Sequence, residues 1–310
     1  MQRTRIVVMG DPHIGYPADA DWEVVVSDIN GLTPDKVLVV GDLSGYGPSI
    51  GTYEATWHAA QILNGLNAPW HSIIGNHDLE AKAFASDEAA VASFLKAVGR
   101  TTPWFREEVG AITVLGLSTT SWRRNAECQH EVVFEEDQLV WFEEQLEELQ
   151  GKPVFVIGHT PPIGSGLITM PELHGKGGNM VVNQNGYPGR IMNIIWRYPN
   201  ILAWFSGHNH LGHHYRNAIA VTLGVHFVQC GVAGTVSKHR DGCRHTRVVD
   251  IHADSIDILT YDHKVKRMDT TCAYHEPNSL QALLDWREAH KGQLYIPRDP
   301  ESLRQGPPLA

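Results

Sequence analysis

The sequence contains no long apolar run. The apolar stretch that follows Arg3 and Arg5 is broken at Gly10, and no later stretch is much longer. A secretory signal peptide needs an apolar stretch of about 7–15 residues, and a membrane-spanning helix needs about 20. We therefore expect neither a signal peptide nor a membrane span, and we predict a cytoplasmic location.

Cysteines are few, and none has a partner at CxxC spacing. The four cysteines are Cys128, Cys230, Cys243 and Cys272. Small disulfide-stapled domains and zinc ribbons need denser or paired cysteines. The sequence therefore excludes a disulfide framework, and we interpret these residues as reduced thiols.

Positive charge is also scarce, because the formal net charge of the chain is −10 at pH 7. Proteins that bind polymeric nucleic acid or an anionic membrane usually present a basic face, so these partners are disfavoured. A small anionic substrate stays possible, since a bound metal ion supplies positive charge that side-chain counting misses. With 310 residues and 42% hydrophobic residues, the chain is long and apolar enough to bury a large core.

Histidine, in contrast, is abundant, with 18 residues, and several of them follow short apolar runs. Five such runs end in glycine and a polar cluster. The runs and their clusters are 5–9 with 10–13, 36–40 with 41–42, 70–74 with 75–78, 153–157 with 158–159, and 201–206 with 207–210. Their length and their Val and Ile content predict strands buried on both faces.

Helical patterns separate several of these runs. They cover residues 18–32, 53–66 and 135–149, and alternation of strand and helix predicts parallel strands. Because ligands bind beyond the carboxyl ends of such strands, we expect all five clusters at one edge of one sheet.

The second half of the chain is richer in strand patterns. Further strands are predicted at 112–117, 226–230, 246–251 and 255–261, which suggests a second packed sheet, and a helix is predicted at 278–290. We divide the chain into a catalytic domain, 1–262, with an irregular insert at 161–199, and a C-terminal extension, 263–310, that could cap the site or mediate dimerisation.

The five clusters supply seven candidate metal ligands without a cysteine. They are Asp11, His13, Asp42, Asn76, His159, His208 and His210. Imidazoles mixed with carboxylates favour Mn, Fe or Zn over Ca or Mg. Seven ligands are too many for one ion, but they suit two ions that share a bridging carboxylate. Two such ions clamp a phosphoryl group and generate a hydroxide that attacks phosphorus.

The motifs GDPH, GD, GNHD, GH and GHNH, in this order, resemble those of the calcineurin-like metallophosphoesterase superfamily. The resemblance covers residues 5–262. A first DxH and a last GHxH look most like the class III cyclic-nucleotide phosphodiesterase branch, which also contains other small-molecule diesterases. The resemblance implies an α/β fold, a four-layer α/β/β/α sandwich of two mixed sheets flanked by helices.

The resemblance also implies roles for these residues. Asp11, His13 and His210 would hold the first of two divalent or trivalent ions, Asp42 would bridge, and Asn76, His159 and His208 would complete the second. His77 would contact the phosphoryl group and protonate the leaving oxygen, and Asp78 would orient the His77 imidazole. Asn76 would also help to bind the substrate phosphate.

Three further residues are weaker candidates for substrate contact. Tyr46 could stack on a ring, Arg123 could neutralise a phosphate, and His174 lies in the irregular insert. Core or rim packing for Tyr46, a solvated turn for Arg123 and a flexible lid around His174 are the plainer interpretations. His213, His214 and His226, which follow the last cluster, are interpreted mostly as surface or packing residues.

The sequence thus predicts a dinuclear phosphoester hydrolase, with a small phosphodiester such as a cyclic nucleotide as the favoured substrate. Alternatives are a phosphomonoesterase acting on a nucleotide, sugar phosphate or phosphoprotein, a related DNA nuclease, and a non-catalytic scaffold of the same fold. A homo-oligomer is possible. A scaffold would be expected to have lost ligands, and all seven are present.

Overall fold

A computed structural model describes residues 3–16, 21–45, 47–123, 134–167, 188–234, 241–277 and 280–290. Within these residues the strands are β1 (Thr4–Met9), β2 (Lys36–Val39), β3 (Trp70–Ser72), β4 (Phe105–Val109), β5 (Ile112–Leu117), β6 (Val154–Gly158), β7 (Ile201–Ser206), β8 (Ile219–Thr222), β9 (Val225–Gln229), β10 (His245–Ile251), β11 (Ser255–Asp262) and β12 (Arg267–Pro277).

The helices carry the connections between strands. They are α1 (Asp21–Gly31), α2 (Tyr53–Leu63), α3 (Asp87–Val98), α4 (Glu136–Glu148), α5 (Pro188–Arg197) and α6 (Leu280–His290), with one 3₁₀ turn at His77–Leu79. Side chains cap two of them: Thr52 accepts the Ala55 N–H at the start of α2, and Ser86 accepts the Ala89 N–H at the start of α3.

The strands form two six-stranded mixed sheets, in the orders β12-β11-β10-β1-β2-β3 and β4-β5-β6-β7-β9-β8. The five cluster-bearing runs therefore do not share one sheet, and that expectation is wrong. β1, β2 and β3 are parallel neighbours in the first sheet, whereas β6 and β7 are parallel neighbours in the second. The antiparallel pair β4–β5 begins the second sheet.

Side chains alternate between two apolar layers in each sheet. In β1, Val7 and Met9 pack among the helices α1–α3, whereas Ile6 and Val8 pack against the opposite sheet. In β5, Val114 faces the space between the sheets and Leu115 packs toward α4 and α5. This alternation of buried faces produces four layers, helix, sheet, sheet and helix, and confirms the predicted α/β fold class.

Two regions with little sequence periodicity contain regular structure. The insert expected to be irregular ends in α5, and three isoleucines of that helix, at 191, 194 and 195, are fully buried. Beyond residue 262, β12 pairs antiparallel with β11 and forms an edge of the first sheet. None of the helices in the described residues is both long and apolar enough to cross a bilayer.

Candidate metal centre between the two sheets

The seven predicted ligands come together where the carboxyl ends of β1, β2, β3, β6 and β7 meet. All seven are buried, with His208 the most exposed at 7%. Contacts between the sheets join their loops: His159 Nδ1 donates to Val40 O over 2.8 Å, and His208 N–H donates to Asp11 Oδ1 over 2.8 Å. The clusters therefore come together because the two sheets face each other, and not because the clusters share one sheet edge.

The backbone at this junction is unusual. Of the eight non-glycine residues with positive φ in the described chain, five are predicted ligands, namely Asp11, His13, Asp42, His208 and His210, with φ between 42° and 64°. This left-handed conformation is sterically unfavourable for residues with a Cβ atom, and it concentrates at functional sites. It turns each side chain inward just after its strand ends.

One group of donors contains Asp11, His13, Asp42 and His210, whose ligand atoms all lie within 4.8 Å of one another. His13 Nε2 lies 3.2 Å from His210 Nε2 and 3.7 Å from Asp42 Oδ2. His13 Nδ1 lies 3.3 Å from Ser44 O, and a carbonyl can only accept, so the lone pair of a neutral His13 is on Nε2. That lone pair points into the group.

A second group lies beside the first and contains Asn76, His159 and His208. Asn76 Oδ1 lies 3.0 Å from His159 Nε2 and 3.1 Å from His208 Nδ1, and the two imidazole nitrogens are 3.3 Å apart. His159 donates from Nδ1 to Val40 O, so its Nε2 also faces the group.

Asp42 stands between the two groups. Its Oδ2 lies 3.3 Å from His159 Nε2 in the second group and 3.7 Å from His13 Nε2 in the first. This oxygen is buried and accepts no well-aligned hydrogen bond among the described residues. Leaving a buried carboxylate oxygen without a hydrogen bond costs free energy, and a metal ion shared by the two groups would give this oxygen a partner. The donor set therefore fits two metal ions.

The electrostatics suit cations. Burial lowers the pKa of His13 and His208 well below the ordinary value, so both imidazoles are neutral at pH 7 and can act as ligands. Burial also lowers the pKa of His159, but the charges of Asp42 and Asp11 outweigh burial and raise it to about 9. A metal ion beside Asp42 would compete with that proton.

Two glycines leave room for the carboxylates. A Cβ atom on Gly207 would overlap Asp11 Oδ2 and lie 2.9 Å from Val40 Cγ2. A Cβ atom on Gly75 would overlap Asp42 Oδ1 and lie 2.5 Å from the Asp42 backbone nitrogen. The glycines of GNHD and GHNH therefore have a steric role beside the ligands.

His77 lies at the rim of the cluster and is 19% exposed. Its backbone N–H donates to Asp42 Oδ1 over 2.9 Å, and its Nδ1 lies 2.8 Å from Glu80 Oε1. Burial lowers the pKa of His77, but the carboxylates of Asp42 and Glu80 outweigh burial and raise it above the ordinary value. Of the site histidines, His77 is thus the one most accessible from outside.

The expectation that Asp78 orients the His77 imidazole is wrong. Asp78 accepts the backbone N–H groups of Asp42, Leu43 and Gly75 over 2.8–2.9 Å and ties the loops after β2 and β3 together. Burial and the Asp42 charge raise the pKa of Asp78 to about 7. Glu80, which sequence analysis missed, is the carboxylate at His77. The i,i+3 spacing of His77 and Glu80, which brings two side chains together in a helical turn, was the sequence signal for this contact.

Of the weaker candidates, Tyr46 and His174 lie outside the described residues. Arg123 is described, and its guanidinium donates to the carbonyl oxygens of Leu79, Ala81 and Phe84. Asp87 accepts the Arg123 backbone N–H over 2.8 Å. Arg123 therefore clamps the segment that follows GNHD, and its donors are used within the fold.

Arg123→Met is expected to lower the free energy of unfolding by about 2–4 kcal/mol, because the carbonyl groups that it binds lose their donor. Urea denaturation measures the change. Arg106→Met is the matched control: Arg106 pairs with Glu148 at the surface, where an ion pair contributes less than about 1 kcal/mol. Unchanged stability with a raised KM would instead indicate that Arg123 contacts substrate.

Comparison with known proteins adds independent evidence. The glycerophosphodiester phosphodiesterase GpdQ of Enterobacter lignolyticus is 29% identical over 208 residues, 64% of this chain and 66% of that protein. A probable cyclic nucleotide phosphodiesterase of Rhodopseudomonas palustris is 29% identical over 173 residues, 55% of this chain and 59% of that protein. The matches thus span about two thirds or less of these relatives.

A solved structure has a similar fold, and a family model matches the sequence. A dimetal phosphatase from Danio rerio has a similar fold, with a TM-score of 0.60 at 12% identity, over 89% of this chain and 99% of that chain. The family model described as calcineurin-like phosphoesterase matches residues 4–212, which include all seven predicted ligands. Because this match covers most of the chain, the chain belongs to the calcineurin-like phosphoesterase family.

Proposed function

We propose that this chain is a dinuclear metal-dependent phosphodiesterase that hydrolyses a small-molecule phosphodiester. The observation that carries the proposal is the position of Asp42 Oδ2, a buried oxygen between two groups of nitrogen and oxygen donors. The names of the two curated relatives, a glycerophosphodiesterase and a probable cyclic nucleotide phosphodiesterase, favour a diester substrate.

The proposed ligands divide as the geometry groups them. One ion would be held by Asp11, His13 and His210, and the other by Asn76, His159 and His208. Asp42 would contact both ions. Mn, Fe and Zn all suit such mixed imidazole and carboxylate sites. When bound, two such ions stabilise charge on the phosphoryl oxygens and lower the pKa of a coordinated water.

Side chains of the protein would position the substrate phosphate and supply the proton for the leaving group. His77 is held at the rim by its backbone hydrogen bond to Asp42, with Glu80 Oε1 2.8 Å from Nδ1, and its Nε2 would face the substrate. A protonated Nε2 can donate to the phosphate and then to the departing oxygen. The Asn76 amide, beside His159 and His208, can position the same phosphate.

The contacts of Arg123 favour a diester over a monoester. A phosphomonoester carries up to two negative charges, which enzymes commonly neutralise with an additional arginine. Arg123, the arginine that sequence analysis offered for this role, is bound to backbone carbonyl groups instead. A diester carries one negative charge, so it makes less demand for such a group.

The test is the ratio of turnover for bis(p-nitrophenyl) phosphate and p-nitrophenyl phosphate in manganese-reconstituted protein. The two substrates share a leaving group and differ in charge and bulk at phosphorus. We expect a strong preference for the diester. A cyclic nucleotide and a glycerophosphodiester, assayed next, would rank the substrate classes. A preference for the monoester would establish the phosphomonoesterase alternative, and no turnover with metal bound would favour the scaffold.

His77→Ala is expected to slow diesters with poor leaving groups by about 100-fold or more, since general acid catalysis contributes about 10²–10⁴-fold. Diesters with a p-nitrophenolate leaving group should slow much less, because this group departs without a proton. Rates are compared across leaving groups at constant metal content. His252→Ala, at a half-exposed histidine after β10, is the control. Equal slowing of all diesters would argue against proton donation by His77.

A further inference from the structure

A second cluster of potential metal-binding side chains shares no residue with the seven proposed ligands. It contains His214, Cys243 and His245, whose ligand atoms all lie within 4.8 Å of one another. His214 is in the segment after β7, Cys243 precedes β10, and His245 is the first residue of β10. His245 is buried, Cys243 is half-buried and His214 is exposed, so an ion could reach the cluster from solvent.

The backbone around this cluster is tightly held. Asp241 Oδ2 accepts the Gly212 N–H over 2.7 Å, and Asp241 Oδ1 accepts the Cys243 N–H over 2.9 Å. A Cβ atom on Gly212 would lie 2.8 Å from Cys243 Sγ, so the thiol packs directly on the backbone two residues before His214. The donors therefore come from two segments whose relative position is fixed.

Carboxylates lie beside two of the three side chains, and the charges of Lys264 and Arg247 also reach the cluster. Asp262 Oδ2 lies 3.7 Å from His245 Nε2, and Asp269 Oδ2 lies 3.5 Å from His214 Nε2. Burial lowers the pKa of His245 to about 4, so this imidazole is neutral at pH 7. Burial and the Asp241 charge raise the pKa of Cys243 to about 11, so a metal ion must displace the thiol proton on binding.

We propose that His214, Cys243 and His245 form a third metal site, selective for zinc or a similar thiolate-binding ion. One sulfur and two imidazole nitrogens are three of the four ligands of a tetrahedral zinc site. A water or Asp262 would supply the fourth. Ligand atoms around tetrahedral zinc are about 3.3–3.8 Å apart, so the three side chains move together by about 1 Å.

Binding through His245 Nε2 requires one local change. His245 Nδ1 accepts the His213 N–H over 3.0 Å, and coordination at Nε2 shifts the ring proton to Nδ1. The loss of one amide hydrogen bond is small beside the formation of three metal–ligand bonds. A bound ion would tie the segment that carries His208 and His210 to β10, and this role does not depend on the proposed phosphodiesterase activity.

Cobalt titration of the full-length protein tests the proposal. A thiolate ligand gives cobalt(II) a near-ultraviolet charge-transfer band, which the seven proposed catalytic ligands cannot produce because they include no cysteine. At saturation we expect the intensity of this band to correspond to one thiolate-bound cobalt per chain, in addition to any cobalt held by the seven catalytic ligands, and we expect zinc to abolish it. Cys243→Ser should abolish it, and the matched control Cys230→Ser, at a buried thiol that belongs to neither group, should retain it.

Two more measurements keep the test decisive. His214→Ala, at an exposed position, should weaken cobalt binding measured by the band at least about 10-fold. Zinc should slow alkylation of Cys243, followed by peptide mass. Absence of the thiolate band when the protein is saturated with cobalt, its persistence in Cys243→Ser, or alkylation unaffected by zinc would each overturn the proposal. Phosphodiesterase turnover is scored separately, so failure of one proposal is distinguishable from failure of the other.

Discussion

Asp42→Asn is expected to lower phosphodiester turnover by several orders of magnitude while the fold stays intact. Asparagine keeps an oxygen that can accept the His77 N–H, now bound by Asp42 Oδ1 over 2.9 Å. It also tolerates the left-handed backbone, with φ of 54° at this position. The change therefore removes mainly the charge and the metal-binding oxygen between the two donor groups, on which a two-metal clamp depends.

Metal content and turnover, measured on the same preparation, check this expectation. Fewer bound ions per chain than in the wild-type protein, together with the lost activity, would support a bridging Asp42. Asp250→Asn is the control, because this buried carboxylate pairs with Arg5 over 2.6 Å, remote from the donor groups. It should lower stability and spare turnover. Wild-type turnover and wild-type metal content in Asp42→Asn would refute the bridging role of Asp42.

Gly207→Ala is expected to reduce metal affinity and turnover by about 100-fold, although the substitution adds only one methyl group. The new Cβ would overlap Asp11 Oδ2, and Val40 Cγ2 at 2.9 Å prevents the backbone from moving away. Asp11 also accepts the His208 N–H through both oxygens at 2.8 Å, so its displacement disturbs both donor groups. Changes beside metal ligands typically cost about 10–100-fold in affinity or activity.

Isothermal titration with manganese and a steady-state assay measure the two effects. Gly31→Ala is the matched control, since a Cβ atom there meets no atom within 4 Å. Gly207 lacks the positive φ that would strain any L-residue, so the contrast between the variants isolates the steric effect. Wild-type affinity and turnover in Gly207→Ala would show that Asp11 can move without loss, and that it is not a required ligand.

Much of this architecture follows from local sequence signals. Apolar runs of four to six residues before glycine predict strands buried on both faces, and the helix predicted at 135–149 is observed as α4, Glu136–Glu148. The division into two sheets does not follow from alternation alone. Of the strands that suggested a second packed sheet, those at 112–117 and 226–230 lie in it as β5 and β9, whereas those at 246–251 and 255–261 lie in the first sheet as β10 and β11. Val114 and Leu115 are both fully buried, as Val7 and Val8 are, so burial on both faces does not tell which sheet a strand joins.

The side-chain partners of the site were harder to predict than the residues themselves. Asp78 directly follows His77 in the sequence and Glu80 lies three residues on, so proximity in sequence favours Asp78 as the partner of His77. The 3₁₀ turn His77–Leu79 determines which carboxylate contacts the imidazole. It directs Asp78 toward the backbone amides of neighbouring loops and places Glu80 beside His77 Nδ1. Partners such as Val40 O and Ser44 O are backbone atoms, and their involvement does not depend on residue type.

The left-handed backbone at Asp11, His13, Asp42, His208 and His210 has an evolutionary consequence. Such a conformation costs about 1–2 kcal/mol per residue that carries a Cβ atom, and glycine avoids most of that cost. A descendant selected only for folding, and no longer for this centre, would accumulate glycine or asparagine at these five positions and become more stable. The persistence of aspartate and histidine there in a related sequence would then report that natural selection still maintains the centre.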